Sequence, residues 1–93
     1  MHAVRAFPLT GSSVVVSANP AIYAGFTARE TAGAVATLRV WDNPSAASGT
    51  LLETIRLAAN ESAREYYVGG VFAAAGVYVE VVAGTVEGSV RVG

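Results

Sequence analysis

Apolar and polar residues alternate with a period of two through most of this chain, the pattern of strands that bury one face. Ala36, Leu38 and Val40 alternate with Thr37, Arg39 and Trp41. Val77, Val79 and Val81 alternate with Tyr78 and Glu80, and Val86, Val90 and Val92 with Thr85, Glu87, Ser89 and Arg91. Earlier in the chain, Ile22, Ala24, Phe26 and Ala28 line one face of a predicted strand, with Tyr23, Thr27 and Arg29 opposite. Gly25 marks a bulge or a close backbone approach within it. Val14 to Ser17 and Leu51 to Leu57 supply two more strands. Turn signals separate these runs at Gly11-Ser12, Asn19-Pro20, Ala32-Gly33, Asn43-Pro44, Gly69-Gly70, Gly76 and Ala83-Gly84.

Strands at this spacing, punctuated in this way, predict an all-β fold: a single small antiparallel β-sandwich or barrel of about six to eight strands. A parallel α/β sheet would need crossover helices for which the chain has no room. The rival element is a helix from Ser62, because Ser62-Ala63-Arg64-Glu65 matches a capping box. Gly69-Gly70 would end that helix within two turns, and Tyr66-Tyr67-Val68 favours a strand. Residues 11–93 form the predicted domain. Residues 1–10, with Phe7-Pro8-Leu9, read either as an arm that docks on a neighbour or as a free terminus.

Composition sharpens this picture in one respect. A chain of 93 residues makes one domain and hides only roughly 60 to 65% of its unfolded surface. Charged residues are 14% of the total, against roughly 25% in ordinary soluble domains, while 53% are apolar. Part of the exterior is therefore expected to be buried in an assembly, unless abundant Ala and Gly merely inflate the apolar count. The six cations, Arg5, Arg29, Arg39, Arg56, Arg64 and Arg91, are scattered among seven acids and form no basic footprint in sequence. Nucleic acid is not an expected partner. Cysteine is absent, which removes disulfides and thiolate chemistry. No unbroken apolar signal segment opens the chain, and the run from Val71 to Val79 falls far short of a membrane span, so no membrane partner is expected.

The search for catalytic chemistry returns structural readings. His2 is the single histidine, too few for a triad or an imidazole metal cluster. Asp42 and Asn43 could hold a cation, but Asp-Asn-Pro is also a common turn opening, and the turn is the preferred reading. Gly69-Gly70 and Gly76 precede no helix that could present its N-terminus to a phosphate. Among Glu53, Glu61, Glu65, Glu80 and Glu87 a catalytic pair is conceivable, yet alternation puts most of them on solvent faces. Several aromatic rings, by contrast, fall on the face opposite the aliphatic rows. They read either as interface anchors or as the core of a second packed sheet.

The order of short motifs carries a further signal. Leu38-Arg39-Val40-Trp41 leads into Asp42-Asn43, then Ser45-Ala46-Ala47-Ser48-Gly49-Thr50 and Leu51-Leu52. After a gap come Tyr66-Tyr67, Gly70-Val71-Phe72, Gly76-Val77-Tyr78-Val79 and Gly84-Thr85-Val86. This order, over about residues 20 to 92, resembles small virion structural proteins of tailed bacteriophages; Pro44 departs from the Thr or Gly more usual after the Asp-Asn pair. An all-Arg cation set with no Lys or Gln points to GC-rich coding, as in actinobacteria and their phages. The resemblance implies a capsid decoration or minor capsid protein on the capsid exterior, made in the host cytoplasm. Its partners would be the major capsid protein and copies of itself, as a trimer in many such proteins. No catalytic residue, metal or cofactor is expected, and the interface residues assigned on this reading are Phe7, Trp41, Tyr66, Tyr67 and Tyr78. A tail or head-fibre module and a carbohydrate-binding module, with Trp41 and the tyrosines as a stacking platform, are the alternatives.

Overall fold

The computed structural model describes residues 4–93; His2 and the start of the expected arm lie outside the described residues. Eight strands follow one another: β1 (Arg5–Pro8), β2 (Val14–Ser17), β3 (Ala21–Glu30), β4 (Ala36–Asp42), β5 (Thr50–Leu57), β6 (Ser62–Ala73), β7 (Val77–Ala83) and β8 (Val86–Val92). A first sheet has the order β1-β8-β3-β6 and a second the order β2-β7-β4-β5. Every neighbouring pair is antiparallel.

The topology can be built from one long hairpin. The loop between β4 and β5 forms its tip, and moving outward β3 meets β6, β2 meets β7 and β1 meets β8. Rolling this ribbon places alternate rungs in opposite sheets, and the pairs β3 with β8 and β4 with β7 close them. The result is an all-β sandwich with the strand order of a jelly roll. Residues Leu38, Val40, Val77, Val79 and Val90 are fully buried between the layers, joined by Tyr23, Phe26, Ile55 and Leu57.

Two sequence expectations change. Arg5–Pro8, within the segment read as an arm, pairs with β8 from Arg5 opposite Val92 to Pro8 opposite Ser89. Phe7 lies opposite the buried Val90 and packs against the core, and Pro8 ends an edge strand, where its missing N–H costs no ladder bond. The rival helix from Ser62 does not form, and the favoured strand does, as residues Ser62–Ala73. Gly69-Gly70, by contrast, is no turn between elements. Residues 67 to 70 stand opposite Ala24 alone, since Tyr66 pairs with Gly25 and Val71 with Tyr23. They form a protruding bulge that β6 passes through and leaves as a strand, with both glycines in the left-handed region.

The same irregularity corrects the reading of β3. On β8, Val92 and Arg91 are consecutive, but their partners Tyr23 and Gly25 are two apart, so Ala24 is the extra residue. Inward-facing positions are odd before it (Ala21, Tyr23) and even after it (Phe26, Ala28, Glu30). Tyr23 therefore belongs to the core, and not to the face opposite Phe26 and Ala28. Gly25 has a φ of 132°, and a side chain there would run into the Glu65 carbonyl oxygen. Only glycine permits this approach without strain.

Candidate interaction surface

The register of the second sheet assembles a row that no single stretch of sequence contains. Val15 lies opposite Tyr78, Tyr78 opposite Trp41, and Trp41 opposite Leu51, so one apolar row crosses all four strands. The neighbouring row, Val79 opposite Val40, is buried, and strand pleating turns the Trp41 row to the outer face. Val15 is 39% and Leu51 44% exposed, while the two rings between them are partly buried. The Trp41 Nε1–H donates to Glu80 Oε1 at 3.0 Å, which fixes the ring plane on the sheet.

The turn beyond Trp41 is held by its two polar residues. Asn43 Oδ1 accepts the backbone N–H groups of Ser45 and Ala46 at 2.9 and 2.8 Å, and its amide donates to the Ser48 carbonyl at 3.1 Å. Asp42 reaches across to the β6–β7 connection, where its carboxylate accepts the N–H groups of Ala74, Ala75 and Gly76. These donors, Ala75 foremost, hold its carboxyl below the usual range. Both side chains are thus engaged in shaping loops. Among the described residues no group of three His, Cys, Asp or Glu side chains is placed to hold a metal ion.

The five residues assigned to an interface separate into three places. Trp41 and Tyr78 are neighbours in the row just described. Tyr66, 60% exposed, stands on the outer face of the first sheet. Phe7 and Tyr67 turn inward and pack against the core.

Tyr67 has a partner among the glutamates that alternation places mostly on solvent faces. Glu53 lies opposite Val40, an inward position, and its two carboxylate oxygens accept the hydroxyl protons of Tyr23 and Tyr67. A residue of the second sheet is thereby tied to two strands of the first. The rings of Tyr23 and Tyr67 are tilted by 51° with centroids 6.2 Å apart, a favourable aromatic geometry. Burial, then the Glu53 hydrogen bond, raises the Tyr23 phenol far above its ordinary range. Tyr67 is pushed up to about 12, chiefly by its hydrogen bond to Glu53.

Glu30 is a second carboxylate missed by periodicity. Its side chain is fully buried and accepts backbone N–H groups from Ala32, Gly33, Ala34 and Asn60, pinning the β3–β4 turn to the β5–β6 turn. The Asn60 hydrogen bond is the main reason its carboxyl is lowered from the ordinary value. The available signal was its position: Glu30 continues the Phe26 and Ala28 row and precedes a Gly-containing turn with free N–H groups.

Comparisons with protein-family models, curated proteins and solved structures find no match to this chain.

Proposed function

We propose that this chain is a non-catalytic structural protein of a tailed-phage virion, a decoration or minor capsid protein that binds the assembled shell and stabilises it. The observation that carries the reading is the row Val15, Tyr78, Trp41 and Leu51 on the outer face of the second sheet. Aromatic rings held rigid on an open sheet are good anchors, because docking them costs little conformational entropy and removes a large apolar area from water. The motif order that resembles the virion proteins, over about residues 20 to 92, includes Trp41 and Tyr78. Eight-stranded jelly rolls serve in viral capsid and lectin domains, a supporting analogy at the level of fold.

The mechanism follows from mass action. A protein that binds only the completed lattice stabilises it by its binding free energy at every copy, and no turnover is needed. The experiment is co-sedimentation of the purified protein with particles lacking it, followed by cryo-electron microscopy of the decorated particle. Density on the shell supports the reading. Density confined to tail or vertex fibres transfers the protein to the fibre alternative, and no retention on any particle rejects a virion role.

The adjacency of Trp41 and Tyr78 also favours a second reading, a carbohydrate-binding module with the two rings as a stacking platform. A glycan array scored alongside sedimentation separates the two.

A further inference from the structure

The outer face of the first sheet gathers cations that sequence order keeps apart. Successive rows across β8, β3 and β6 read Glu87, Arg29, Ser62; then Ser89, Thr27, Arg64; then Arg91, Gly25, Tyr66. Beyond the bulge, the next pair on this face is Ile22 with Phe72, the latter 63% exposed. Three of the six arginines thus share one face with a single carboxylate, Glu87, and that carboxylate pairs with Arg29 at 3.9 Å. Glu65, whose register partner is the inward-facing Phe26, lines the groove but makes no ion pair with either remaining arginine. Arg64 and Arg91 have no carboxylate within ion-pair distance among the described residues.

The two arginines border a groove of about 420 Å³ lined by Phe26, Thr27, Arg64, Glu65, Tyr66 and Arg91. Gly25 contributes no side chain, so the strand between Arg91 and Tyr66 forms a low floor. Two interstrand spacings make the trough roughly 10 Å wide. Arg91 is oriented across it by a hydrogen bond from Nη1 to Thr27 Oγ1 at 2.8 Å, leaving other guanidinium donors for a ligand. A planar fork already held in place suits a carboxylate. Beyond Tyr66 the face becomes apolar at Ile22 and Phe72.

We propose that this face is a second docking surface, for a protein segment that presents a carboxylate to Arg64 and Arg91 and an adjacent apolar side chain to Tyr66 and Phe72. Charge complementarity selects the occupant: arginines outnumber carboxylates around the groove, Arg64 and Arg91 are not ion-paired among the described residues, and arginine with aromatic neighbours is the composition of protein-binding hot spots. Two unpaired cations are too few for the phosphate track that nucleic acid binding demands. The inference stands on a face different from the Trp41 row and does not depend on a virion role.

The test is an amide-resonance titration of the full chain with three probes: a synthetic peptide of alternating glutamate and leucine, its glutamine-for-glutamate counterpart, and a single-stranded DNA dodecamer. The glutamate peptide is expected to shift the resonances of Thr27, Arg64, Tyr66 and Arg91, with binding that weakens as salt is added. Arg64→Gln and Arg91→Gln should each reduce its affinity about tenfold, the scale of one charge-assisted hydrogen bond. The same spectra report whether each variant is folded, and Arg64, being exposed, can be replaced without touching the core. Equal binding of the glutamine peptide, unchanged affinity in the folded Arg64→Gln variant, or tighter binding of DNA at these resonances would each overturn the proposal.

Discussion

Glu53 enters the interlayer space from β5 and meets two phenols that can satisfy both its oxygens, so each member of the triad covers the burial cost of the others. Removing one hydroxyl leaves a carboxylate oxygen short of a donor. Tyr23→Phe is accordingly expected to cost about 1 to 3 kcal/mol in urea denaturation at neutral pH. The pH dependence has a definite sign. Both phenols hold their protons more tightly in the folded chain than in the unfolded one, whose tyrosines ionise near pH 10. Stability from this cluster is complete below pH 10 and declines as pH rises, through about 12 for Tyr67. Tyr23→Phe should flatten that alkaline decline; an unchanged slope would refute the linkage. Glu30 acts at the other end of the scale. Its folded-state carboxyl lies below the ordinary 4.5, so its contribution is present above that value and is lost as pH falls through the lowered one. Glu30→Gln should give a flatter acid limb in the same denaturation series.

At the level of elements, bulges decide which side chains share a face. A strand's period-two pattern reports the correct face only until an extra residue intervenes, after which every later position is reversed. This is why Leu38 with Val40, and Val77 with Val79, were legible as core in the sequence, whereas Tyr23 was assigned to the wrong side. It is also why β6 was harder to read: its bulge carries Val68, 91% exposed, and two glycines that look like a chain reversal. β1 was missed because four residues ending in proline carry too little alternation. Trp41 and Tyr78 were legible as outward rings from local pattern, but their adjacency depends on pairing β4 with β7. The Arg64 and Arg91 groove depends on β6 and β8 flanking β3, and no spacing along the chain encodes that. Three substitutions test this scale. Gly25→Ala should destabilise by about 1 to 3 kcal/mol, because φ of 132° excludes a side chain there without strain. Trp41→Ala and Tyr78→Ala should each weaken particle binding by about 2 kcal/mol. Their unfolding losses should stay below the roughly 3 to 5 kcal/mol of a core aromatic, a difference that thermal melts and sedimentation measure separately.

For the whole molecule, the rolled-hairpin topology makes most pairings distant in sequence. Only β4 and β5 are consecutive strands that pair directly; β1 must find β8 across nearly the entire chain. Loop-closure entropy is therefore spent before most contacts form, and refolding is expected in the millisecond-to-second range of non-local β domains, measured by stopped-flow fluorescence of Trp41. Microsecond refolding would contradict this topology. The pairing of Arg5 with Val92 has a separate consequence for engineering. It brings the two ends of the described fold side by side at one margin of the first sheet, while the exposed stretch Ala46–Ser48 offers a place to cut at the ribbon's tip. A circular permutant with old ends spliced by a short glycine-serine linker and new ends at Ala47 would keep every strand pair. In that permutant β8 and β1 become a covalent hairpin and β4 and β5 lie at opposite ends of the polypeptide, so the pair that is most local in the native order becomes the most remote.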